Sequence, residues 1–296
     1  PDPKRIGHTL TPLSILLVLV SALLHSSWNF FAKRGNWPIE FYFWVFLCSS
    51  LLYLPFFFGF GVFPSLFFQT PLWAWSLNFL SGLIQTIYFI CLIVAYREGD
   101  LSLVYPISRS ALLFTVLWAI LFIGEILSLM GAFGIGLVLL GIFVISVKNI
   151  HLKGTLTQSK HFPSWPYLLA FNAALSGSIY SVVDKVAVQS LHPVFYTWLI
   201  NVWMCMNVGI YLFFHREAPI LKVWQESKKE IFTIVLLQNI GYGCFLMALT
   251  MSKVSYVVAF RQVSALFGAG MGILLLKESQ WKTRMTGALI LTMGLI

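Results

Sequence analysis

Charge is what this chain has least of. Only 10 % of its 296 residues are Asp, Glu, Lys or Arg, against roughly 25 % in an average soluble domain, so a water-facing globular surface is excluded. Cysteine is scarce as well: Cys48, Cys91, Cys205 and Cys244 all fall inside apolar runs, none at the short spacing of a metal knuckle or redox pair. They read as packing residues, and neither a metal nor a cofactor is expected. No Gly-x-x-x-x-Gly-Lys-Ser/Thr phosphate loop is present, which removes direct ATP drive. His-Glu-x-x-His and Gly-x-Ser-x-Gly are missing too, so an enzyme would have no metal or nucleophile to work with.

What fills the chain instead is hydrocarbon. Hydrophobic residues make up 59 % of it, and a helix needs about 20 apolar residues to cross a bilayer core. Ten runs come close to that length: 12–32, 39–60, 73–96, 102–123, 126–147, 165–187, 194–214, 231–250, 255–276 and 281 onward. An all-α membrane protein of ten transmembrane helices is predicted. The first run follows Lys4 and Arg5 as a secretory leader would, but it is too long and lacks a cleavage-type ending, so it is expected to be a true span. With no methionine at Pro1 and a last run that stops at Ile296, both ends are expected to be trimmed.

The ten runs are five runs said twice. Gln85 and Gln238, Ala95 and Ala248, Glu125 and Glu278, Gly134 and Gly287, and Gly141 and Gly294 are all separated by 153 positions, while Lys33 and Lys185, and Arg109 and Arg261, are separated by 152. Two repeats, 1–150 and 151–296, are expected, with the polar stretch 148–166 between them. Five spans is an odd number, so the second copy must enter the membrane from the opposite side. Loop charge agrees: the 2–3 connection has no Lys or Arg, whereas its counterpart between spans 7 and 8 has Arg216, Lys222, Lys228 and Lys229. Thirteen basic residues fall on the face of the 1–2, 3–4, 5–6, 7–8 and 9–10 connections, and four on the face of the termini; Arg109 and Arg261, inside the membrane, complete the nineteen. That count alone places the termini outside. The net charge of +9 is scattered over short loops, which suits anionic lipid and not nucleic acid.

A few polar residues stand inside the spans. Arg109 and Arg261 lie about seven residues into theirs, where an arginine costs on the order of 2.5–3.5 kcal/mol on insertion scales unless something receives it. Contact with a solute or gate is one reading; snorkelling to the interface is the other. On the first span, His25, Trp28 and Asn29 share a helical face, and the sixth span sets Gly177, Tyr180, Ser181 and Asp184 at matching places. Asp184 is read either as functional or as the partner of Lys185 in a simple ion pair. Gln85 and Gln238, followed by Tyr88 and Tyr242, form the third matched polar set, able to read a ligand or to tie helices together. Glu125 and Glu278 stand just before spans 5 and 10, where an acid suits the helix dipole, and read as structural. Gly268 with Gly272, Gly131, Gly134, Gly141, Gly287 and Gly294 mark close helix packing.

The stretch His25-Ser26-Ser27-Trp28-Asn29-Phe30-Phe31-Ala32-Lys33, the segment Tyr105-Pro106-Ile107-Ser108-Arg109, the Gly124-Glu125 turn and their echo from Val257 to Glu278 together resemble the EamA family of the drug/metabolite transporter superfamily. The resemblance covers nearly the whole chain. It implies a basket in which spans 1–4 and 6–9 line a central cavity while 5 and 10 brace the outside, and termini on the cytoplasmic side, against the basic-residue count. It also implies transport, commonly export with proton or exchange coupling, of amino acids, drugs, sugars, nucleotide sugars or other metabolites. The expected function is therefore secondary active transport of a small polar or anionic organic metabolite, such as an amino acid, drug-like or phosphorylated compound, by alternating access across a bacterial inner membrane. His25, Trp28, Asn29, Gln85, Tyr88, Arg109, Tyr180, Asp184, Gln238 and Arg261 are the expected solute-binding residues, with His25 or Asp184 as proton site. Expected partners are the solute, membrane lipid and a coupling proton or counter-substrate, with no nucleic acid; the chain is expected to be a monomer or homodimer. A membrane scaffold or sensor that moves nothing is the alternative.

Overall fold

A computed structural model of the chain describes residues 10–35, 37–99, 104, 107–146, 164–267, 270 and 281–295. Among them every regular element is helical. The first span is α1 (Pro12–Gly35), the second is α2 (Ile39–Leu52) continued by α3 (Leu54–Gly59), and a short α4 (Phe63–Gln69) occupies the connection to α5 (Leu72–Glu98). Next comes α6 (Ala111–Trp118), which ends in a π turn at Ala119–Ile123; α7 (Leu129–Ser146) follows. In the second half come α8 (Trp165–Ala187), α9 (Pro193–Phe214), α10 (Ile220–Met251), α11 (Val254–Arg261) and α12 (Trp281–Leu295). Among the described residues, six helices are long and apolar enough to cross a membrane, and four shorter apolar ones lie at Ile107–Ile123, Leu129–Ile145, Val254–Phe267 and Thr286–Leu295. The outer faces are apolar, with Leu129, Ile126 and Phe122 more than three-quarters exposed, a surface suited to lipid and costly in water. The chain is an integral membrane protein.

Local chemistry sets the helix ends. At the start of α1, Thr11 and Ser14 cap each other, the Ser14 amide donating to Thr11 Oγ1 at 3.2 Å and the Thr11 amide to Ser14 Oγ at 2.9 Å. Proline opens α9, where its missing N–H costs nothing and His192 Nδ1 accepts from the Val194 amide at 3.3 Å. The π turn closes on Gly124 at φ 73°, a left-handed conformation that glycine adopts freely.

At α10 the helix reaches back beyond the expected span 231–250: it begins at Ile220, because the charged stretch Lys222–Glu230 is helical, with a break at Ser227 (φ −126°, ψ 23°). Hydropathy hides such a segment, since Lys222, Glu226, Lys228, Lys229 and Glu230 are good helix formers that point to water. It is held down by Trp224, whose ring lies 4.8 Å from that of Trp44, and by Trp44 Nε1, which donates to the Ile220 carbonyl at 2.9 Å.

Packing follows an exchange of the two halves. α1 lies along α10 as α8 lies along α5, α11 packs on α1 as α6 packs on α8, and α2 meets α9 while α7 meets α12. The pairs run antiparallel. Ser14 meets Ser252 and Leu24 meets Gly241; in the other half Pro166 meets Gly99, Tyr88 meets Gly177, and Ser81 meets Asp184. Along α7 and α12 the glycines cross over, Gly134 against Gly294 and Gly141 against Gly287, with no room for a side chain at either contact. The repeat mates α7 and α12 therefore run in opposite directions. Glu278, Gly268 and Gly272, Tyr105 and Pro106 lie outside the described residues, as does all but the end of the 148–166 boundary.

Candidate functional site

The two helical stretches that carry Arg109 and Arg261 both tighten where the arginine stands. After Arg109 the Ser110 amide donates to the Ile107 carbonyl at 3.1 Å and the Leu113 amide to the Ser110 carbonyl at 2.9 Å; after Arg261 the Gln262 amide donates to Ala259 at 3.0 Å and the Ala265 amide to Gln262 at 2.8 Å. The backbone angles agree as well, φ −61° and ψ −10° at Ser110 against φ −65° and ψ −9° at Gln262. Each is a single 3₁₀ step that offsets the two pieces of helix. Neither arginine sits in unbroken helix: Arg109 is the last of the helical residues 107–109, with the turn at Ser110 between it and α6, and Arg261 is the last residue of α11.

Two chambers adjoin there. One is lined by Asn29, Tyr96, Ser108, Arg109, Thr115 and Gln262 among others. The second takes in Trp28, Gln85, Phe89, Gln238, Asn239 and Tyr242. His25, Tyr88, Tyr180 and Arg261 line both and form the neck between them.

At the neck, Arg261 lays its guanidinium over the Phe245 ring, 4.2 Å from Cζ to centroid, and brings one nitrogen to 3.4 Å from His25 Nδ1. Trp28 Nε1 donates to the same Nδ1 at 3.1 Å. Both neighbours are donors, so Nδ1 accepts and the neutral ring carries its proton on Nε2. Among the described residues, Arg261 Nε is buried without a hydrogen-bond partner, and so is Gln238 Oε1. Arg109 reaches across from the other half, its Nη1 3.5 Å from Gln262 Oε1. Tyr88 and Tyr180 meet edge to face at 5.4 Å.

Nine of the ten expected residues line this space, and Asp184 does not. Its carboxylate is fully buried and accepts three hydroxyls: Ser81 at 2.5 Å and Tyr196 at 2.6 Å on Oδ1, and Tyr242 at 2.7 Å on Oδ2. Gln85 completes the cluster, its amide 3.0 Å from Ser81 Oγ and 2.8 Å from the Tyr242 oxygen. The expected Asp184–Lys185 ion pair is absent: Lys185 Nζ donates instead to the Leu249 and Ser252 carbonyls, at 2.6 and 2.8 Å, at the end of α10. Asn29 spends its amide on the His25 carbonyl at 2.7 Å. Glu125 is structural, as expected, but serves a different helix, accepting from the Val254 and Ser255 amides at 2.7 and 3.2 Å and so capping α11 in the opposite half.

Sequence reasoning missed Ser81, Tyr196, Asn201, Asn239 and Gln262. Asn239 donates to Ser49 Oγ at 2.7 Å and accepts from Asn201 at 2.8 Å, tying α2, α9 and α10 together beside the second chamber. The signal was there, since Ser49 and Asn201, and Thr86 and Asn239, are polar pairs at the same 152 and 153 spacings.

The model of the EamA-like transporter family matches residues 12–147 and again 164–296. The chain belongs to the EamA-like transporter family. No curated protein matches its sequence. Among solved structures, 28 chains match, and one crystal structure aligns with a TM-score of 0.73 over 95 % of this chain and 94 % of that one, at 14 % identity. At that identity the likeness shows a shared fold. EamA membership within the drug/metabolite transporter superfamily makes the chain a membrane transporter, with a small-molecule solute and lipid as partners. The EamA matches also bracket the two halves that carry the matched 3₁₀ steps.

Proposed function

We propose that the chain is a secondary active transporter of a small polar or anionic organic metabolite. It crosses a bacterial inner membrane ten times, as two inverted five-helix repeats within 1–150 and 151–296, and works by alternating access in the export direction that the resemblance implies. One observation supports this most: two arginines related by the repeat border a space at the interface of the halves, each at a break in its helix. Broken helices at a repeat interface are where transporters hold solutes, because rocking one half against the other exposes that place to either side in turn. His25, with Nε2 engaged by neither Trp28 nor Arg261, is the candidate for proton coupling.

The test is flux in proteoliposomes of purified protein. Arg261→Ala and Arg109→Ala should each abolish saturable uptake of an organic anion that the unaltered protein carries, while Gly136→Ala, at a position with nothing within 4 Å of an added Cβ, should keep it. Unchanged flux in both arginine variants would remove the arginines from the solute path.

A further inference from the structure

The two chambers differ in kind. The chamber of Arg109 is lined by hydroxyls and amides, the other by rings and carboxamides, with Trp28 and Phe89 as flat walls and Gln238 and Asn239 as polar points. Between them stands Arg261, whose contacts, the Tyr180 hydroxyl, His25 and the face of Phe245, include no carboxylate. An unpaired buried cation is expensive. So is an unpaired buried acceptor, and Gln238 Oε1 is one, as Arg261 Nε is an unpaired donor. Among the described residues no Asp or Glu lines either chamber. The carboxylate of Asp184 lies behind Tyr242 with both oxygens taken by hydroxyls.

Resting on the transporter reading above, we infer that the solute is a bipartite organic anion: an oxyanion group, carboxylate or phosphate, held at Arg261, joined to a flat uncharged body that offers an N–H or O–H to Gln238, with no ammonium group. The oxyanion supplies the charge that Arg261 lacks, and its planar oxygens suit a guanidinium. The body fills the ring-lined chamber, which a bare inorganic anion would leave without contacts. A zwitterion would bring an ammonium where the neighbouring charge is already positive, with no free carboxylate to receive it.

The experiment is titration calorimetry on the purified full chain in detergent with one-ring probes: 4-hydroxyphenylacetate, phenylacetate, methyl 4-hydroxyphenylacetate, 4-hydroxyphenyl phosphate, tyramine, tyrosine and inorganic phosphate. The hydroxylated acid and the aryl phosphate are expected to bind at least about tenfold tighter than the ester, tyramine or tyrosine, since one charge-assisted hydrogen bond is worth that much. 4-Hydroxyphenylacetate is expected to exceed phenylacetate by several-fold, with Gln238→Leu closing that gap and Arg261→Gln closing the gap between acid and ester. Equal binding of tyrosine or tyramine overturns the exclusion of ammonium, equal binding of inorganic phosphate overturns the bipartite build, and no binding by any probe overturns both. If Arg261→Ala stops flux of some other solute while these probes fail, the solute class falls and the transport reading stands. If flux survives in both arginine variants, the transport reading falls first.

Discussion

Asp184 and Lys185 are neighbours in sequence and serve different ends of the bundle. Successive residues on a helix point about 100° apart and do not face each other, which is why a pairing drawn from adjacency fails: Asp184 turns to α5, α9 and α10, Lys185 to the last carbonyls of α10. Lys185→Met removes the donor from two buried carbonyls, at a cost of roughly 1–3 kcal/mol, to be read as a lower unfolding temperature in detergent. Asp184→Asn sets an N–H₂ against hydroxyls that were all donating, with a similar loss. If the cluster acts as a unit, adding Tyr196→Phe to Asp184→Asn should cost clearly less than the sum of the two single changes; strict additivity would show that Tyr196 acts alone. At this scale the repeat made Arg109, Arg261, Gln85 and Gln238 legible as special positions. It did not tell which atoms remain unpaired, because that depends on partners from helices far away in sequence.

Among elements, the glycine seam between α7 and α12 carries the sharpest consequence. A Cβ at Gly141 would lie 2.6 Å from the Leu291 amide nitrogen, and one at Gly287 would lie 2.6 Å from that of Ile145. Backbone cannot yield as a side chain can. Gly141→Val and Gly287→Val should each destabilise the protein by about 1–3 kcal/mol, the usual cost of overpacking, whereas Gly136→Ala should be neutral, all measured by thermal unfolding in one detergent. The seam was legible as small residues at helical spacing. The charged first turns of α10 were not, since a hydropathy window sees lysine and glutamate as loop although their backbone hydrogen bonds are helical. The 3₁₀ steps at Ser110 and Gln262 left no mark in composition, because neither glycine nor proline makes them.

Across the whole molecule, contacts sort the connections onto two faces. Arg97, at the end of α5, pairs with Glu217 ahead of α10 at 2.7 Å, and Glu40 at the start of α2 accepts from the Glu217 amide. On the other face Ser14 meets Ser252, and Lys253 donates to the Ile126 carbonyl at 2.6 Å. Single cysteines at Glu98 and Glu226, in a chain freed of its own four, should be labelled by an impermeant maleimide from one side of a sealed vesicle, and cysteines at Gln69 and Thr250 from the other. Labelling of Glu98 and Thr250 from one side would break the inverted arrangement. The doubling itself was legible, because lipid demands long apolar runs and the matched residues kept their spacing. Which half supplies which wall was not, since the pairing of α1 with α10 and of α8 with α5 is a matter of tertiary contact.

The most direct measurement is counterflow of an organic anion in proteoliposomes carrying Arg261→Ala beside Gly136→Ala. Loss of saturable exchange in the first with full exchange in the second is the outcome that follows from a solute held at the neck between the halves. Full exchange in the arginine variant would place the solute elsewhere and contradict it.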